Sequence, residues 1–155
     1  MSTPFAVPDD DCTPYPLTFE RLVSTLTSMG FAADVLVEGR AAGAVFDTVP
    51  FLLSIDQTGR FLSVRAVWET ELDPHTAAQP LFAAADGWNR EKYFPTVYRM
   101  TTPEGTMQVC ADFVVDTSAG LSDEQLSQNI GAGISTGITA IGYMKEAAKE
   151  TLGQH

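Results

Sequence analysis

A chain of 155 residues with 45% hydrophobic and 19% charged content can bury a full core without disulfides or metals, and it reads as a soluble globular protein. Its formal net charge of −11 and pI near 4.3 exclude a nucleic-acid partner, which needs a basic face, and an anionic membrane surface. The two cysteines, Cys12 and Cys110, read as reduced thiols; with no basic residue before Arg21, no apolar leader and no run long enough to span a bilayer, the expected compartment is the cytoplasm.

Residues 1–16 contain several prolines and the run Asp9-Asp10-Asp11-Cys12, and are expected to form a disordered or draped acidic tail. Contiguous carboxylates there lack the preformed geometry that a metal site needs. Residues 17–152 are expected to form a single domain.

A first helix is predicted over 17–29, with Thr18 as N-cap and Glu20 in the first turn. Phe19, Leu22, Val23, Leu26 and Met29 give it one apolar face, and Gly30 stops it. Phe31 to Glu38 alternates as a first strand, and Gly39 to Gly43 forms a turn. Ala44 to Val49 reads as a short strand that Phe51 to Asp56 continues, with Pro50 marking an edge or bulge. Gln57 to Arg60 is a hairpin turn into a strand whose apolar face is Leu62, Val64, Ala66 and Trp68.

Asp73-Pro74 has the form of an N-cap and first helical residue, while Pro80 opposes a helix running through it. The spacing leaves two starts open, one at Pro80 and one in a short turn before it. From Leu81 to Trp88 the pattern is helical, with Leu81, Phe82, Ala84, Ala85 and Trp88 as the buried stripe, and Asn89 is the predicted helix-ending residue. Pro95 then pushes Phe94 into an extended conformation. Strands follow at 96–102 and 106–116, separated by Pro103-Glu104-Gly105. Ser122 and Gln125 form a capping box for a last helix running to about residue 150, with a stripe of Leu126, Ile130, Ile134, Ile138, Ile141 and Met144.

Several of these stretches together resemble the YbjN domain family, whose members are bacterial. They are Phe51–Asp56 with the Gly59 turn, Phe61–Trp68, Trp88-Asn89-Arg90-Glu91 with Phe94-Pro95, Thr106–Asp116 and Leu121–Leu126. The resemblance covers roughly residues 17–150. It implies an α+β fold similar to type III secretion chaperones, an antiparallel sheet of about five strands packed by three helices in the order α-β-β-β-α-β-β-α. It implies frequent dimerisation and a regulator of sensory transduction with no enzymatic reaction, and it supplies no catalytic motif to carry over.

The remaining constellations are weighed on their own chemistry. Gly131 to Gly137 lacks the Lys-Ser or Lys-Thr of a phosphate loop and follows a capping box, not a strand. Gly133 and Gly137, four apart, predict close backbone approach, within the chain or to a second copy. His75 and His155 show no metal spacing with the cysteines, and Cys110 lies in an apolar strand where a thiol is inert. Glu69 and Glu71 read as a solvated strand edge. The basic corner after the second helix stands out in an acidic chain, and Trp88, Arg90, Lys92, Tyr93 and Arg99 are the candidate partner contacts. The expected function is a non-enzymatic protein- or peptide-binding domain, a homodimer without cofactor, metal, nucleic acid or membrane. The competing expectation is a small-ligand sensor with a pocket between the sheet and the second helix.

Overall fold

In a computed structural model that describes residues 5–153, the elements run α1 (Phe19–Ser28), β1 (Asp34–Val37), β2 (Ala41–Phe46), β3 (Val49–Ile55), β4 (Phe61–Glu69), α2 (Pro74–Glu91), β5 (Thr96–Thr101), β6 (Met107–Asp116) and α3 (Asp123–Leu152). The strands form one six-stranded antiparallel sheet in the order β1-β2-β3-β4-β6-β5. The fold is α+β with three helices. His155 lies outside the described residues.

The sixth strand corrects the expected count. Asp47 (φ 50°) and Thr48 (φ 68°) both take left-handed conformations and make a two-residue hairpin turn between β2 and β3. Such turns favour Asn-Gly or Asp-Gly, so Asp-Thr gives no sequence signal for one. Pro50 follows the turn as an exposed residue near the start of β3. β1 is shorter than predicted. All four of its residues are exposed, and its register slips between Val35 and Val37. A bulge of this kind discourages further pairing at a sheet edge.

The helix signals act at the predicted places. Thr18 Oγ1 accepts the Arg21 N–H at 3.2 Å, and Gly30 (φ 90°) leaves α1 in the left-handed region. Asp73 caps α2 and Pro74 opens it, so the helix begins six residues before Pro80 and carries that proline inside. Pro80 removes one ladder donor, and its ring crowds the carbonyl four residues back, at Thr76. Ser122 and Gln125 make the reciprocal capping box of α3, at 2.9 and 3.0 Å.

The described residues fall into two compact units. One takes the chain through Ala44 with Leu52–Val64 and Val114–Ala132; the other takes Val45–Phe51, Arg65–Phe113 and the chain from Gly133. In the first, Leu22, Leu26, Leu53, Leu62, Val64, Leu126 and Ile130 are buried. Arg21 is buried with them and organises the N-terminal segment. Its Nη1 donates to Tyr15 O (2.7 Å) and Pro16 O (3.2 Å), and its Nη2 to Leu121 O (2.6 Å) and Asp123 Oδ1 (3.0 Å). The guanidinium lies 3.4 Å from the Tyr15 ring centre, and the Tyr15 hydroxyl donates to Asp123. Tyr15 and Leu121 exchange backbone hydrogen bonds, and Gly120 (φ 83°) permits this because a Cβ there would lie 2.9 Å from the Tyr15 backbone.

In the second unit the buried residues include Ala66, Leu81, Ala85, Trp88, Val97, Met107, Val109, Ile134, Ile141 and Met144. Gly137 sets how closely α3 meets the sheet. A Cβ there would fall 2.9 Å from Phe51 Cε2 and 3.1 Å from Ala66 Cβ. Phe51 is itself fixed edge-on against Phe46, with ring centres 5.2 Å apart.

Candidate functional site

The residues from Trp88 to Arg99 join α2 to β5. Trp88 is buried. Its ring packs 5.3 Å from that of Tyr143, and its Nε1–H donates to Pro95 O at 2.9 Å, so the joint is tied on both sides. Asn89 does not end the helix; α2 continues to Glu91. The role of Asn89 lies in its side chain. Nδ2 donates to Val97 O at 2.7 Å, and Oδ1 accepts the Val97 N–H at 2.9 Å. One side-chain amide thus pairs both backbone groups of Val97, as a neighbouring strand would.

The same pairing fixes the orientation of β5, which is the sheet edge next to β6. Val97 is opposite Ala111 and Arg99 opposite Val109. With the polar groups of Val97 turned toward Asn89, antiparallel alternation turns those of Arg99 and Thr101 to the same outer edge. The Arg99 side chain crosses to α2. Its Nε donates to Ala78 O at 2.9 Å, and its guanidinium lies 5.5 Å from the ring centre of Phe82. Between these two bridges is an open groove of about 380 Å³, lined by Phe82, Ala85, Asp86 and Asn89 of α2 and by Thr96–Arg99 of β5. Phe82 was expected in the core. It is instead 53% exposed, because the stripe facing inward is Ala77, Leu81, Ala85 and Trp88.

The other candidate contacts do not line this groove. Arg90 is exposed and pairs with Asp86 one turn back at 3.4 Å, a geometry worth little at a surface. Lys92 Nζ lies 5.7 Å from the Trp88 ring centre. Tyr93 is fully exposed, and Phe94 beside it is 49% exposed and edge-on to Phe113. Gly133 is buried in α3.

Sequence reasoning did not find a polar cluster on β4, β5 and β6. Arg65 binds Asp112 bidentately at 2.7 and 3.1 Å, and the Tyr98 hydroxyl donates to the same carboxylate at 2.9 Å. The only sequence signal was a charged residue in the middle of each of two strands. Burial, then the neighbouring Cys110 and Asp112, push the Tyr98 hydroxyl well above its ordinary value. Burial likewise raises the Cys110 thiol, which makes it a poor nucleophile. Cys12 is exposed and His75 stands exposed in the first turn of α2. Among the described residues, no three His, Cys, Asp or Glu side chains are grouped as a metal would need, and no helix is long and apolar enough to cross a membrane.

The model of the YbjN family, described as "Putative bacterial sensory transduction regulator", matches residues 18–146. The chain belongs to the YbjN family. Nothing among curated proteins matches it. Its fold is similar to the crystal structure of YbjN from E. coli, titled a "putative transcription regulator", with a TM-score of 0.72 at 13% identity over 89% of this chain and 97% of that one. An uncharacterised protein from Methanothermobacter thermautotrophicus follows at 0.50, with 13% identity over 82% of this chain and 96% of that one. A chain of the HopA1-SchA chaperone-effector complex is similar at 0.49, with 17% identity over 81% and 91%, which is too slight to bear on partner or mechanism. In this YbjN-family chain, the described side chains around the α2–β5 groove offer hydrogen-bond donors, cations and exposed aromatic rings.

Proposed function

We propose that this YbjN-family chain is a non-enzymatic, cytoplasmic domain of bacterial sensory transduction, with residues 17–152 as one domain, that binds a protein partner at the α2–β5 corner. The observation that carries the reading is the exposure of Phe82 in a groove beside a sheet edge, with Tyr93 and Phe94 also exposed on the joint between α2 and β5. Exposed aromatic side chains grouped in this way mark protein contacts more often than isolated surface residues do. A photo-crosslinking residue at position 93, and a second at Glu104 as an exposed control, test it in a bacterium expressing the chain. Discrete adducts from position 93 alone are expected; adducts from neither site, or the same adducts from both, would count against the reading.

A homodimer is proposed with it. Gly137 is occupied by Phe51 and Ala66 of its own chain, whereas Gly142 in the same unit is exposed with nothing within 4 Å, so its face of α3 is the one proposed to meet a second copy. Light scattering at micromolar concentration decides this, and a clean monomer removes the dimer.

The groove also supports the second reading, a small-ligand sensor. It joins apolar Phe82, Ala85 and Val97 to polar Asp86, Asn89 and Arg99, the mixture that orients small molecules. A thermal-shift screen distinguishes the two: one chemical class raising Tm with wild type, and not with Asn89→Ala, favours the sensor.

A further inference from the structure

We propose that the outer edge of β5 receives an extended segment of the protein partner as an added strand. The segment pairs with Arg99 and Thr101 and carries an acidic residue facing Arg99, with apolar residues on either side. The proposal rests on the protein-binding reading above and specifies how the partner is held.

Three features of the edge point to this occupant. First, the Arg99 N–H and C=O face the open side, and beyond the β6 ladder neither makes a hydrogen bond to another part of the described chain. Exposed strand edges of this kind are completed by another extended backbone, which supplies donor and acceptor repeatedly at strand spacing. Second, Asn89 already pairs Val97. It is an end stop, so the added strand has one register and begins at Arg99. A free edge without such a stop permits slippage.

Third, the side chains alternate. Arg99 points toward α2, with Nε held by Ala78 and no carboxylate within ion-pair distance of its guanidinium among the described residues. Tyr98 and Met100 point to the opposite face of the sheet, and Met100 is 42% exposed. A strand laid along β5 therefore places one residue across from Arg99 and its neighbours beside Tyr98 and Met100. Directly opposed opposite charges stabilise a strand pair, and apolar neighbours pack on Met100. The charge balance agrees: Arg90, Lys92 and Arg99 stand against Asp86 and Glu91, a local positive excess in a chain of net charge −11.

The test uses the full chain and two fluorescein-labelled, end-blocked octapeptides, one alternating valine and glutamate and one alternating valine and lysine. The glutamate peptide is expected to bind about fivefold or more tightly than the lysine peptide, with the preference falling as salt rises. Arg99→Glu, a half-exposed position, should reverse the preference. Amide exchange by NMR supplies a readout independent of any variant's folding. At saturation the Arg99 and Thr101 amides should slow about tenfold or more, while Val97, already bonded to Asn89, changes little. Equal binding of both peptides, or no binding, overturns the proposal. Peptide binding that protects amides elsewhere also overturns it, yet leaves the protein-binding reading intact; loss of the position-93 adducts would instead remove that reading.

Discussion

Three glycines on one helix provide the sharpest test of the packing. Gly131, Gly137 and Gly142 all lie within α3, so replacing each with alanine gives the same gain in helix propensity, about 1 kcal/mol. Their surroundings differ. Nothing lies within 4 Å of a Cβ at 131 or 142, so those variants keep the whole gain. At 137 the new methyl meets Phe51 at 2.9 and 3.0 Å and Ala66 at 3.1 Å. Phe51 is 4% exposed and wedged against Phe46, so it cannot swing into solvent to make room. Inserting a methylene-sized group into a close-packed site costs about 1–3 kcal/mol. Subtracting the propensity gain leaves Gly137→Ala less stable than wild type by about 1 kcal/mol. For a chain of this length each kcal/mol moves Tm by about 2–4 °C. Urea unfolding followed by far-UV circular dichroism should show midpoints ordered Gly142→Ala and Gly131→Ala above wild type and Gly137→Ala below it, with equal m-values. A Gly137→Ala variant at or above wild type refutes the close approach of α3 to Phe51.

Three other outcomes follow from local geometry. Arg21→Ala removes the donors serving Tyr15 O, Pro16 O and Leu121 O and should cost about 2–3 kcal/mol; limited proteolysis should then cut before residue 16 faster than in wild type. Thr48→Gly relieves a β-branched residue at φ 68° and should raise stability by about 1 kcal/mol in urea melts, unless the turn has another conformation. Asp116 is held down to about 2, first by hydrogen bonds from Ser118 and then by Arg60, and Asp56 is lowered by its bonds to Thr58 and the turn amides. Both carboxyls are depressed in the folded state. Their contribution is therefore complete above about pH 4, the unfolded carboxyl value, and is lost as pH falls toward 2. Asp116→Asn should flatten the acid limb of a stability–pH curve and leave the neutral plateau little changed in shape.

Much of the fold was legible because its signals are local. Thr18 and Ser122 with Gln125 name two helix starts by capping chemistry, whereas Pro80 left the start at Asp73-Pro74 open. Leu62, Val64 and Ala66 name the inner face of β4 by alternation. Turns are legible only when they use the residues the backbone prefers. Gly59 marked its hairpin, whereas Asp47-Thr48 holds a positive-φ turn with residues that give no such sign, and two strands read as one. Phe82 failed for a different reason: helical periodicity finds an apolar stripe but not how far around the helix the sheet reaches. Arg21 was invisible because two of its four acceptors, on residues 121 and 123, lie 100 and 102 residues away in sequence, a distance that no window spans.

The candidate site shows the same limit most clearly at Asn89. Read locally, asparagine at a helix end is a residue that tolerates a left-handed backbone, and that reasoning stops at Asn89 itself. In the folded chain the backbone there is ordinary helix, and the amide instead reaches β5 eight residues later. Its position has a consequence for the sheet. An edge strand is closed to partners when its outward groups are paired or covered. Asn89 closes Val97 and nothing beyond it. About two helical turns before Asn89, beside the Arg99 side chain, stands Phe82, which cannot accept from an N–H or donate to a carbonyl. The Arg99 guanidinium lies over that ring and leaves the strand backbone unserved. The edge is therefore fixed at one end and open at the next pair of hydrogen-bonding groups, which is the arrangement that receives an added strand in a single register.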